Sequence, residues 1–148
     1  MLSVDVNVLV YAFDTDSPHH VRARQVLEET AITREPLVLF PPVLAGFTRV
    51  TTDRRILINP AAPAEALAYL QALLDWPNTR VTHTGSRWWD IFVALAEEYA
   101  PRGAEVSDVA LAATAIETGA TWVSFDRGFA RFRGLTWVNP ADSPTQSE

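Results

Sequence analysis

The sequence predicts an α/β fold in which helices flank a central, mainly parallel sheet. Three observations predict it. Short apolar runs alternate with segments of helical period along the chain, the pattern of βαβ units joined by right-handed crossovers. No internal repeat, heptad pattern, low-complexity block or second-domain linker breaks that alternation. Three aspartates, Asp5, Asp108 and Asp126, stand at strand ends or at a helix start. In an open parallel sheet those positions face one crevice, and ligands bind there.

Leu2-Ser3-Val4-Asp5 reads as the first strand, followed by a short helix through Val8–Ala12. Asp14–Pro18 reads as a turn, with Ser17 as N-cap and Pro18 in the first helical position. Ala23, Val26, Leu27 and Ala31 then recur at helical spacing. Leu37–Phe40 is a buried strand stopped by Pro41-Pro42, and Val43–Val50 is a helix that contains Gly46. After the loop Asn59–Pro63, Ala66, Leu67, Leu70, Leu73 and Leu74 mark an amphipathic helix from Ala64 to Trp76. Thr79–His83 is a strand, and Trp88, Phe92, Leu95, Ala96 and Tyr99 share one helical face. Pro101-Arg102-Gly103 breaks the chain before a helix with Ser107 as N-cap and Asp108 in its first turn, ended by Gly119. Thr121–Phe125 is a strand, Asp126-Arg127-Gly128 a turn, and Thr136–Val138 a last short strand. Residues 1–140 therefore form one domain, and 141–148 a polar tail expected to be disordered.

Composition narrows the chemistry. At 148 residues and about half hydrophobic, the chain has material for one core. There is no cysteine, so neither a disulfide framework nor a thiolate metal site is available, which fits a cytoplasmic protein. No stretch approaches the roughly 18 apolar residues of a membrane span. All twelve basic residues are arginine. The absence of lysine disfavours a P-loop, and equally the acidic phosphotransfer pockets that use a lysine ammonium. A net charge of −6 argues against a general nucleic-acid coat but leaves room for local arginine patches.

Three carboxylates gathered in one crevice make a hard-cation site, and oxygen-only donors favour Mg2+ or Mn2+ over zinc. Each acid also has a plainer role. Asp5 can cap the helix that follows, Asp108 can complement a helix dipole, and Asp126 can form a turn. Asn7, two residues after Asp5, can orient its carboxylate, and Ser124 lies two residues before Asp126. His19 and His20 lack a nucleophile-and-base context and read as exposed; His83 reads as structural. A cation held by carboxylates activates water and stabilises charge on a phosphoryl oxygen. The residues alone thus imply phosphoryl-ester hydrolysis.

In combination the motifs resemble the PIN-domain nucleases, and within them the VapC toxins of bacterial toxin–antitoxin pairs. VDVNVLVYAF resembles that family's opening strand with its metal-binding acid, here Asp5. VSDVALAATAIETGATWVSFDRGFARFRGLTWVNP resembles its closing half, where Asp108 matches the second central metal ligand and Asp126 the acid after the last long strand. The resemblance implies a three-layer α/β/α fold, an endoribonuclease dependent on Mg2+ or Mn2+, a small cognate antitoxin as partner, and a homodimer. It also implies a glutamate in the helix after the second strand, where this chain has Gly46, so Glu105 is a candidate fourth acid. Arg127 is the expected phosphate-binding residue for RNA, with Arg49, Arg54 and Arg55 as a second basic group. A metal-dependent DNA nuclease or phosphatase, or a non-catalytic partner-binding module, would be built from the same residues.

Overall fold

The computed structural model describes residues 1–142. Five strands, β1 (Leu2–Val4), β2 (Leu37–Leu39), β3 (Thr79–Val81), β4 (Thr121–Val123) and β5 (Trp137–Val138), form one sheet in the order β3-β2-β1-β4-β5. Every pairing is parallel. The central strands have Val, Leu or Trp at most positions, as strands covered on both faces must. Six helices connect them: α1 (Val6–Phe13), α2 (His20–Thr33), α3 (Pro41–Thr51), α4 (Pro63–Leu74), α5 (Trp88–Tyr99) and α6 (Ala104–Thr118). The chain steps outward from β1 to β3, then returns across the sheet to β4. With right-handed crossovers, that reversal puts α1–α4 on one face and the α5–α6 pair on the other. The three-layer α/β/α expectation holds. The reversal makes the gap between β1 and β4 the topological switch point, where ligands bind in such sheets.

Val4, Leu9, Phe40, Phe47, Trp122 and Phe129 anchor the core without measurable exposure or nearly so. Trp122 on β4 stacks on Phe40, ring centroids 5.9 Å apart, and meets Phe129 edge-on at 5.5 Å. Its indole N–H is buried and has no hydrogen-bond partner among the described residues.

Several local expectations are corrected. α2 starts at His20, with His19 at the cap position, because Ser17 spends its hydroxyl on the His19 N–H within the turn. Pro18 therefore lies before the helix. Thr30 rather than Ala31 is buried on α2, its hydroxyl donating to the Leu27 carbonyl. Pro41 and Pro42 stop β2 but also open α3, since the first helical position needs no N–H. β3 ends at Val81, and His83 is exposed in the loop beyond it. α6 starts four residues early: Gly103, at φ 58°, turns the chain directly into the helix, so Ser107 is no cap and Asp108 sits in the second turn. Ala141 and Asp142 belong to a 3-10 turn with Pro140; the rest of the expected tail, 143–148, lies outside the described residues.

Gly46 has a steric reason to be glycine. A Cβ there would lie 2.7 Å from Val6 Cγ2, inside van der Waals contact, where α3 crosses α1. From the sequence, Gly46→Ala is expected to leave activity intact, since no acid is lost. The structure adds a cost in stability: the new Cβ crowds Val6 on α1, at about 1–3 kcal/mol. Val6→Ala in the same chain opens the space, so the double variant should recover most of the loss in a denaturant-unfolding cycle. Equal stability of Gly46→Ala and wild type would refute the contact.

Candidate active site

The site grows out of the β1–β4 pairing. Register aligns Leu2 with Thr121 and Val4 with Val123, so the chain leaves the two strands side by side as Asp5 and Ser124. The Asp5 backbone N–H donates to the Val123 carbonyl at 2.9 Å and extends the ladder by one bond. Asp5 then caps α1: its Oδ1 accepts from the Val6 N–H at 2.7 Å. Its Oδ2 accepts from Ser124 Oγ at 2.6 Å and, more loosely, from Asn7 Nδ2 at 3.4 Å. Both the capping and the functional reading of Asp5 thus apply to one carboxylate.

Asn7 and Ser124 form the frame. Asn7 Nδ2 also donates to Ser124 Oγ at 3.2 Å, and Asn7 Oδ1 accepts from the Phe125 N–H at 3.2 Å. Ser124 Oγ in turn accepts from the Asp126 N–H at 3.0 Å. Asp126 caps the 3-10 turn Arg127–Arg131 through Gly128 N–H, at 2.8 Å, and remains exposed. One polar chain therefore links Asp5 and Asp126 across 121 positions of sequence.

Electrostatics adds the third acid. Asp5 is 9% exposed, and burial pushes its pKa above the ordinary carboxylate range. Bonds from Ser124 and Val6 oppose that rise, while the charges of Asp108 and Asp126 reinforce it. Asp108, half-buried in α6, is raised by burial, then by Asp126 and Glu105, with Arg131 opposing. Asp5 therefore feels both other carboxylates, and Asp108 feels Asp126. Glu105, exposed in the first turn of α6, is the smallest of the influences on Asp108. Gly46 brings no acid.

A buried carboxylate such as Asp5, with two further acids acting on it, is costly as an anion unless a cation joins them. The donors are oxygens alone, which suits a hard divalent ion. Among the described residues no three acid or histidine side chains already close into a cage.

The arginines differ from expectation. Arg127 makes a bidentate pair with Asp142, both contacts 2.8 Å, and so faces away from a free phosphate-binding role unless Asp142 releases it. Arg131, folded over the Phe132 ring at 4.2 Å, is the arginine whose charge reaches Asp108. Sequence reasoning also missed the rings beside the site. His19 is half-buried, with its ring 5.1 Å from Tyr11 and 4.7 Å from Phe125, and His20 Nδ1 bonds the Tyr11 carbonyl at 2.9 Å. The turn-forming run Asp14–Pro18 was the available signal, because it folds α2 back onto α1. Next to Asp5 a cavity of about 540 Å³ opens between α1 and the segment after α3, lined among others by Tyr11, Asp14, Asp16, Ile56 and Ile58.

Known proteins resemble this chain over nearly its whole length. The PIN domain family model matches residues 2–135. The chain is 47% identical over 145 residues to Ribonuclease VapC43 of Mycobacterium tuberculosis, covering 98% of this chain and 99% of that one. It is 36% identical to Ribonuclease VapC33 of the same species over 140 residues, 95% of this chain and 98% of that one. Among solved structures, VapBC2 from Rickettsia felis bound to a promoter DNA fragment aligns with a TM-score of 0.69 at 19% identity, over 93% of this chain and 97% of that one. That structural likeness is one of fold. Family model and relatives agree over nearly the whole chain: it belongs to the PIN-domain family, among the VapC ribonucleases.

Proposed function

We propose that the protein is a toxin that cleaves RNA endonucleolytically, with Mg2+ or Mn2+ at the β1–β4 switch point. The observation that carries the reading is the polar chain joining Asp5, Asn7, Ser124 and Asp126, with Asp108 electrostatically coupled to it. The names of the relatives supply ribonuclease activity, and the acids supply a site suited to it. Asp5 and Asp108 would hold the ion; Asp126 would ligate it or orient water. A divalent cation so held supplies charge stabilisation at a phosphoryl oxygen and a more acidic bound water. Ser124 and Asn7 keep Asp5 in one orientation by donating to it, and Asn7 secures the Phe125 backbone. Glu105 draws water or a second ion toward Asp108.

The partners follow from the same surface. An antitoxin segment with basic and apolar side chains matches the cavity where Asp14 and Asp16 face Ile56 and Ile58, the last two exposed by 50% and 85%. A structural relative described as a toxin-antitoxin complex from Klebsiella pneumoniae supports a small cognate antitoxin as partner. A homodimer accords with the exposed Trp89 and the stacked Trp88 and Phe92 on α5. Among the described residues no helix is long and apolar enough to cross a membrane.

Purified protein incubated with mixed RNAs should cleave them with Mg2+ or Mn2+ and stop on addition of EDTA. Cleavage that persists in EDTA removes the metal; phosphate release from small esters with RNA intact favours a phosphatase; DNA cut in preference to RNA favours a DNA nuclease; no turnover leaves a binding module.

Arg127 and Asp142 give a second test. An RNA phosphate competes with the exposed Asp142 carboxylate for the Arg127 fork. Arg127→Ala should weaken RNA binding and make its logarithmic salt dependence shallower by about 0.7 for a single strand. Asp142→Asn should shift affinity in the opposite direction. Unchanged affinity in both moves the RNA path away from this turn, toward Arg131.

A further inference from the structure

A second cavity lies at the opposite end of the sheet from the acids. It has a volume of about 700 Å³ and is lined by Arg34 at the end of α2, Pro36, Trp76 and Pro77, and by Thr79 and Arg80 at the start of β3. Its charged side chains are two arginines, with no acid among the lining residues. Arg34 has no carboxylate partner among the described residues, and the contact of Arg80 is a long one, 3.7 Å, to Met1 Sδ. Thr79 Oγ1 is buried and has no hydrogen-bond partner there. The adjacent acid, Glu35, is occupied by the N-terminal ammonium. Asn78 cannot supply acceptance with its amide nitrogen; it donates to the Thr30 and Glu35 carbonyls at 3.1 and 2.9 Å, which ties the α2–β2 turn to β3.

Arg34 itself is held at φ 58°, ψ 25°, the left-handed conformation that favours glycine. Arginine at that position places its guanidinium at the cavity despite the backbone cost. Two guanidinium groups call for an acceptor-rich anion. An indole and two proline rings call for a flat, apolar body beside it. Inorganic phosphate satisfies only the first demand and an acidic peptide only part of the second; a nucleotide satisfies both, by the stacking and phosphate contacts that single-stranded nucleic-acid sites combine.

We infer that this cavity binds a nucleotide, with phosphate on Arg34 and Arg80 and the base against Trp76. The nucleotide is either free or an unpaired unit of RNA. Only the RNA source rests on the proposed nuclease reading, since Asp5 and Asp126 follow the carboxyl ends of their strands while this cavity adjoins the amino ends of β2 and β3.

The test is calorimetric titration of the full chain with AMP, inorganic phosphate and a short single-stranded RNA, all in EDTA. The assay contains no cleavage step, so a failure here leaves the nuclease reading standing, and RNA degradation during the titration would expose a failure of that reading instead. AMP is expected to bind more tightly than phosphate and to quench tryptophan fluorescence. Arg34→Gly with Arg80→Ala should weaken AMP at least tenfold; the glycine suits the positive φ, so the fold is kept. Trp76→Leu should remove most of the quenching, and Asp5→Asn should leave AMP affinity unchanged. RNA that displaces AMP and binds more tightly identifies RNA as the source; AMP that resists such displacement identifies the free nucleotide. Absent AMP binding, unchanged affinity in the double arginine variant, or poly-glutamate competing as well as AMP overturns the proposal.

Discussion

Asp5→Asn should lower RNA cleavage by at least about 10³-fold, the several kcal/mol of transition-state stabilisation that a metal-held phosphoryl oxygen is worth, and should raise thermal stability in EDTA at neutral pH. The first effect follows from the role proposed for Asp5: an amide brings no charge to a divalent cation. The second follows from burial. The pKa of Asp5 in the folded chain lies above its ordinary value because burial and two neighbouring acids disfavour the anion. Its contribution to stability is therefore full below the ordinary carboxylate pKa and is lost as pH rises through the raised value. At neutral pH the native chain bears that loss, and a neutral amide removes it. Asparagine keeps an Oδ1 acceptor for the Val6 N–H, so the α1 cap survives. Thermal melts in EDTA should show the gap between variant and wild type narrowing toward pH 4. Wild-type cleavage by the variant would mean the ligand set is misplaced, and a lower melting temperature would mean that the Oδ2 bonds from Ser124 and Asn7 outweigh burial.

Trp122→Ala should cost about 3–5 kcal/mol, a large part of the 5–15 kcal/mol typical of a domain. Trp122 has no exposure and is gripped between Phe40 and Phe129. Phe129 belongs to the 3-10 turn that Asp126 caps, so the cavity left behind loosens the site as well as the core. Trp122→Phe should cost much less, because the buried indole N–H has no partner to lose. Denaturant unfolding of both variants measures the difference. Similar losses for Phe and Ala would show that the indole N–H is satisfied after all.

Much of the fold was legible because its determinants are local. Val4, Leu37–Leu39 and Val123 are runs that only a doubly covered strand wants, and the helical spacing of Ala66, Leu70 and Leu73 was recovered as buried. Gly119 ends α6 at φ 74°, as its position announces. Local rules failed where two were in competition. Ser107 looked like an N-cap, but Gly103 upstream could begin the helix sooner, which moved Asp108 from the first turn to the second. Pro41 reads as a breaker in a strand and as a first residue in a helix, and it is both.

The aspartates divide along the same line. Their residue types, their places beside predicted elements and the oxygen-only donor set were present in the sequence, which by itself determined an α/β chain with a candidate hard-cation crevice. The parallel register of β1 with β4 was not, and that register alone sets Ser124 Oγ 2.6 Å from Asp5. The pairing of Arg127 with Asp142, the half-burial of His19 and the contact of Gly46 with Val6 likewise join positions whose distance in sequence conceals their distance in space. Propensity and periodicity act over a few residues, so they shape the elements. Charge, packing and hydrogen bonding act through space, so only the tertiary structure decides which of those elements' side chains meet.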